Sequence, residues 1–528
     1  MRKFLSIFIA AGLFFSCQRE EAEAPFATDT DISVLPSTET KASDNGLLGW
    51  VALTGQTHIS AEEAQETALA TAMQMREVEG IVTKTPLKIG SIEVVKGNTR
   101  KPYVPTKGNA KPEQADVYIV NFANNQGYVI TSADRRVSGV LAYNSYGHLG
   151  DTISNPGQAI LFSYMQEYIE EQRAAFEANK EKLATEAEEA IFKQLSKEVQ
   201  AKLIAKGYFD ENGKRIKSKF GTYEKLCTID EECTDEQEKR IVYSEWETEV
   251  FKAPLIKTLW AQSKDYNDKV PVKCGINEEA PVGCVAVAVG QMLAYYKKPA
   301  VFKGRTMHWN DMTKIDAGDM FSTIDNYSVG YNSTAKEDIQ YLLAHLGDSD
   351  YLNMDYGCGE SGSTIYRAIQ TLTKLGYIVT ERGYDQNTVI NQIINRNPVY
   401  IRGRSEKKEH RLLGINFYNT YGGGHAWILD GYISKTRTIS HYSCCPLFEG
   451  EVKYVNREYL RLAHNNFGWG GMLDGSNYKP NSTYYDGTGW YRIGIFNGKS
   501  GKVTDSNTYK SGEPGNYQYD LKILYVIK

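Results

Sequence analysis

The chain has 528 residues, enough for three or four folding units and a sizeable core, and too many for a small disulfide-stapled scaffold. Hydrophobic residues make up 41% and charged residues 24%, and only 15 residues are proline, which argues against a disordered or collagen-like chain. Sixty Lys and Arg against 65 Asp and Glu leave a net charge of −5, so no basic surface is expected to hold polyphosphate and nucleic acid is not an expected partner.

Residues 1–17 read as an export signal: Arg2 and Lys3, then an apolar run from Phe4 to Phe15, then Ser16 before Cys17. The run is too short for a permanent membrane span. A cysteine directly after a small residue resembles a bacterial lipoprotein signal, with Cys17 as the lipidated first residue. The expected location is therefore the bacterial cell envelope, as an outer-membrane lipoprotein or as a form secreted after processing. Membrane attachment is expected only through that lipid. The alternative is an ordinary signal peptide cut nearby. Once Cys17 is set aside, seven cysteines remain, an odd number, so at least one thiol is expected to be unpaired within the chain. A Cys227 to Cys233 bridge is possible, and the pairing is not readable from spacing.

Residues 18–45 are rich in Glu, Ala, Thr, Ser and Asp without periodicity, as in a flexible tether. From Ile59 to Met75 a helix is expected, capped by Ser60, with Glu62 and Glu63 in its first turn and Ala64, Ala68 and Ala72 recurring every fourth residue. Runs at 116–122 and 127–132 flank Asn124, Asn125 and Gln126 and read as a β-hairpin, with a further strand at 137–143. Residues 46–160 thus look like one small α+β domain. Residues 161–250 hold 21 acidic and 14 basic residues and no proline, the signature of a solvated helix or helical pair between domains. From 251 to 528 the chain turns Tyr- and Gly-rich and reads as a larger α+β domain.

The chemistry concentrates in that larger domain. Pro281 and Gly283 make a turn, after which Cys284 opens a helix with an inward stripe of Ala288, Gln291, Met292 and Tyr295. Unsatisfied N–H groups and the dipole at a helix start favour a thiolate. The bland alternative is a buried, apolar-like cysteine. Of the eight histidines, His425 follows three glycines at the start of a strand, with Asp430 and Gly431 as the turn beyond, and glycines let a substrate chain approach closely. It lies about 140 residues after Cys284, within the roughly 130 to 150 between nucleophile and base in papain-like enzymes. Asn466 can accept the imidazole N–H and hold its tautomer, and Trp469 can shield that bond from water. Gln262 offers an amide which, with the Cys284 N–H, would hold an oxyanion; by itself it reads as a surface residue. His464 is a second candidate base, without the open glycine approach.

Taken in order, 254–262 with Tyr266 and Asn267, 283–292, 353–357 with Ser361 and Ser363, 424–431 and 466–471 resemble the streptopain family of papain-fold cysteine peptidases. The runs at 117–122, 127–131 and 140–143 look like that family's inhibitory pro-domain. The resemblance implies an α+β, papain-like peptidase domain at 251–528 behind a pro-domain at 46–160 and a charged helical linker. It implies an endopeptidase made as a zymogen, with protein or peptide substrates, with its own pro-domain as intramolecular inhibitor keeping His425 from Cys284 until cut, and with neither a cofactor nor a metal. Two departures stand out. Phe467 replaces the family's usual Trp, so a phenyl ring would stack on the imidazole, and residues 433–462 carry an insertion with Cys444 and Cys445. Activating cleavage is expected between about 210 and 253, near Lys214 to Lys219 or at Lys239 and Arg240. The rival classes are a transglutaminase-like acyltransferase and a non-catalytic surface lipoprotein that binds host proteins. A zinc site from His441, Cys444 and Cys445 lacks the spaced ligand pairs of the usual motifs.

Overall fold

The computed structural model describes Ala52 and residues 57–81, 86–105, 115–153, 155–193, 195–216, 240–258, 260–263, 266–276, 278–313, 333–404, 411–417, 424–445, 450–469, 488–496 and 521–527. The expected leader with Cys17, the tether, and the Cys227 and Cys233 pair lie outside these residues. None of the described helices is long and apolar enough to cross a membrane.

Helix α1 (Ala61–Glu79) starts as its sequence dictates. Ser60 accepts the Glu63 N–H at 3.2 Å, and Ala64, Ala68 and Ala72 form its buried face. It packs on strands β1 (Ile89–Lys96), β3 (Val117–Phe122), β4 (Tyr128–Ser132) and β5 (Val140–Asn144), with β2 (Thr99–Pro102) at the edge. The expected hairpin is β3–β4, in a register that sets Val117 opposite Ser132 and Asn121 opposite Tyr128. All residues of β3, β4 and β5 are buried, which is why they read as apolar runs rather than alternating ones.

The expected boundary at residue 160 needs correction, because it cuts through helix α2 (Pro156–Phe192). Leu161, Phe162, Met165, Tyr168 and Ile169 are core residues, and the charged, solvated character begins only in the second half of the helix. Counting charge over 161–250 averaged two unlike stretches. Helix α3 (Lys197–Ala205) follows, but the segment does not stay helical: β6 (Arg240–Tyr243) and β7 (Glu247–Lys252) are strands.

In the C-terminal half, helix α4 (Cys284–Tyr296) packs against α5 (Ser333–Leu346). The expected single inward stripe understates its burial, since every residue from Val285 to Ala294 is buried. The sheet strands here are β8 (Ile378–Gly383), β9 (Val399–Arg404), β10 (Gly424–Cys445), β11 (Gly450–Asn466), β12 (Gly489–Arg492) and β13 (Lys522–Ile527). One mixed-origin sheet results, in the order β8-β13-β9-β10-β11-β12-β5-β4-β3-β1-β2, with β6 and β7 also paired to β10. Trp490 opposite Tyr143 and Tyr491 opposite Ala142 join the two halves of the chain.

The insertion at 433–462 is the distal part of the β10–β11 hairpin, in continuous register from Tyr432 and Ala463 to Cys445 and Gly450. Asp430 and Gly431 are not the expected turn. They form a bulge in β10, where the buried Asp430 carboxylate accepts the Ile256 N–H at 2.9 Å and faces His464 Nδ1 at 2.7 Å.

Candidate active site

The loop into α4 is fixed from three sides. Gly283 has φ 87°, and a Cβ there would come within 2.3 Å of Met354 Cε and 2.7 Å of the Ser361 carbonyl, so only glycine lets the 353–363 stretch lean on the residue before Cys284. A disulfide from Cys274 to Cys358 ties that stretch to the strand preceding the loop, and Cys284 is a free thiol. The Val282 N–H donates to the Gln262 carbonyl at 2.8 Å, which brings the segment of Gln262 alongside the loop.

β10 begins at Gly424, so His425 enters the sheet at its first turn of pleat and Ala426 follows on the opposite face. The Ala426 N–H donates to Cys284 Sγ at 3.4 Å. The nucleophile candidate and the base candidate are therefore brought together, with the residue after the histidine bonded to the sulfur. The ring itself is turned elsewhere. His425 Nε2 lies 3.0 Å from the Phe467 carbonyl, which can only accept, so the proton is on Nε2 and Nδ1 is the basic atom. No hydrogen bond joins the ring to Cys284 among the described residues.

The N-terminal half packs against the ring in that position. Asn155 caps α2 by accepting the N–H groups of Gly157 at 2.8 Å and Gln158 at 3.2 Å, and Pro156 takes the first helical position. This sets Gly157 against the site: a Cβ there would lie 2.7 Å from His425 Cδ2 and 2.4 Å from Phe467 Cδ1. The start of α2 was not foreseen as part of the site, although Asn-Pro-Gly before an apolar run is a helix-start signature.

Asn466 does not hold the imidazole here. Its Oδ1 accepts from Gly468 N at 3.1 Å and Gln291 Nε2 at 3.3 Å, and its Nδ2 donates to the Thr258 carbonyl at 2.9 Å. The amide is fully engaged, and the ring bonds the backbone one residue later. Trp469 does stand edge-on to His425, with ring centroids 6.4 Å apart, and Trp427 lies nearly parallel to it at 6.1 Å. The expected stacking of Phe467 on the imidazole is replaced by these two indoles, while Phe467 packs into Trp427 and Tyr491. His464 is bound to Asp430 and sits edge-on to Trp490. The side chains of His441, Cys444 and Cys445 lie outside the described residues.

Burial disfavours the charged form of both reactive groups. It pushes the Cys284 thiol up, against the pull of the Ala426 and Val285 N–H groups and the nearby Arg402 charge. It pushes His425 down to about 4, only partly offset by the bond to the Phe467 carbonyl. Charging that ring in place costs roughly 3 kcal/mol, so this setting disfavours a thiolate–imidazolium pair.

Residues 260–476 match the Peptidase C10 family, and residues 58–169 match the Spi protease inhibitor family. The chain carries a peptidase C10 domain behind a Spi-type inhibitor domain. Streptopain from Streptococcus pyogenes is 22% identical over 391 residues, covering 68% of this chain and 73% of the relative. The thiol protease/hemagglutinin PrtT of Porphyromonas gingivalis is 26% identical over 254 residues, 43% of this chain and 24% of PrtT. A prointerpain A fragment from Prevotella intermedia aligns over 78% of this chain and 96% of its own length, at 16% identity and a TM-score of 0.40. The protein is thus a cysteine-type peptidase that carries its own inhibitor domain. The inhibitor match runs through Ile169 and so takes in the buried half of α2, including the Gly157 contact with the C10 domain.

Proposed function

We propose that Cys284 is the nucleophile and His425 the base of this peptidase, and that the structure is the latent form of an endopeptidase. The observation that supports this best is the Ala426 N–H on Cys284 Sγ, which places the backbone next to His425 against the sulfur. In the latent form Gly157 and its helix occupy the space beside the ring. Removal of the inhibitor domain frees His425 to leave the Phe467 carbonyl and take the Cys284 proton. The thiolate then attacks a peptide carbonyl, and the Cys284 N–H and the Gln262 amide hold the oxyanion. His425 returns the proton to the leaving amine, and water releases the acyl-enzyme. Trp469 screens the imidazolium. Asn466 takes its tautomer-holding role only if its amide exchanges Gln291 for the ring.

The same reading divides the chain into an inhibitor domain running to about residue 170, a helical linker, and a peptidase domain that begins with β6. It also keeps Cys17 as a lipid attachment point on an exported precursor. Cys284→Ala in purified full-length protein tests the chemistry: peptide hydrolysis and self-processing should both fall below detection. Retained hydrolysis would remove Cys284 from the mechanism.

A further inference from the structure

β9 turns two residues toward α4 on one face. Tyr400 packs in the α4 cluster with Ala426, Ile428 and Leu524, whereas its neighbours Val399 and Ile401 belong to the cluster on the other side of the sheet. Arg402, two residues on, shares the face of Tyr400. Across the sheet it stands opposite Ala426 of β10 on one side and Lys522 of β13 on the other. Lys522, Arg402 and Ala426 therefore form one row, and that row ends at the backbone N–H that touches the Cys284 sulfur.

The guanidinium lies at the surface of the site. Its Nε and Nη2 are 3.3 and 3.5 Å from the position of a Cβ on the exposed Gly424, the residue before His425. Arg402 and Lys522 are both half-buried, and among the described residues neither is in an ion pair. Among the described residues the nearest acid by register, Glu381, stands opposite Leu524 one step away and is exposed. Like charges directly opposite each other destabilise a strand pair. Such a pair beside a nucleophile, with no acid paired to it among the described residues, suits an anion that arrives with the substrate.

We propose that Arg402 and Lys522 form a subsite for an acidic side chain, so that the peptidase favours peptides with Asp or Glu close to the scissile bond. This rests on Cys284 as the nucleophile. Paired residues on adjacent strands are about 5 Å apart and a substrate advances about 3.3 Å per residue, which puts the recognised side chain within two residues of the cleaved carbonyl.

The test uses the activated protein and peptides carrying Glu, Gln or Lys at each of the two positions on either side of the cut. At one position Glu should exceed Gln by about tenfold in kcat/KM. Arg402→Gln should flatten that ratio, Arg402→Glu should turn the preference toward Lys, and Lys522→Gln should reduce it. A second reading needs no variant: in the unmodified protein the Glu advantage should shrink between about 0.05 and 0.5 M salt. A Glu to Gln ratio near one at all four positions overturns the proposal, as does a ratio unchanged in Arg402→Gln or by salt. Hydrolysis of the Gln peptides scores the nucleophile reading separately, since cleavage without charge preference defeats only the subsite.

Discussion

At the scale of single residues, the latent state turns on a hydrogen atom at position 157. Gly157 is the second residue of α2, where alanine would be the better helix former by about 1 kcal/mol. A methyl there would nevertheless overlap the His425 ring and Phe467, and overpacking of this kind costs about 1 to 3 kcal/mol. Gly157→Ala should therefore loosen the inhibitor domain from the site. The expected outcome is a shorter lag before self-processing and several-fold faster alkylation of Cys284 in the uncut protein. An unchanged lag would mean that α2 does not bear on the ring.

At the scale of elements, the β10–β11 hairpin decides where activation can occur. β6 and β7 are in register with β10, Tyr243 opposite Ile439 and Phe251 opposite Ile433, and paired backbone is poor protease substrate. Upstream, Arg215 is buried and bonded to Glu188 at 2.6 Å, and Lys214 N is held by Asp210. Both flanks of the expected window are thus tied down, which leaves 217–239. N-terminal sequencing of the processed form should find a start between 217 and 240, with β6 and β7 kept; a start beyond Lys252 would contradict this. The same elements show what the sequence made legible. The helix at Cys284 and the strand at His425 are marked by neighbouring glycines and proline, because their geometry is local. The engagement of Asn466 was hidden, because its partners Thr258 and Gln291 are 208 and 175 residues away. The direction of the His425 ring was hidden for the same reason, since it bonds the Phe467 carbonyl 42 residues on and lies against a glycine from the other domain. The extended hairpin looked like a bare insertion because its pairing partners sat inside a stretch that averaged as solvated helix.

At the scale of the whole molecule, inhibition is built into a shared sheet. β5 pairs with β12, Gln158 Nε2 donates to the hydroxyls of Tyr128 and Tyr491 at 3.1 and 3.0 Å, and the Trp490 N–H donates to Glu79 at 2.6 Å, where burial pushes that carboxyl up. These contacts seat the inhibitor domain so that α2 reaches the site, and the consequence is a neutral thiol beside a neutral imidazole. Above pH of about 4 His425 stays uncharged in this setting, and the raised thiol keeps its proton through neutral pH. Once the ring is free to face the sulfur, each charge stabilises the other: the imidazole's affinity for its proton rises and the thiol's falls.

The rate of Cys284 alkylation by a small neutral reagent, followed from pH 4 to 10 before and after processing, tests this most directly. Labelling should be slow and climb only at alkaline pH in the uncut protein, and should already be fast at pH 5 to 7 in the processed one. Identical profiles for the two forms would contradict it.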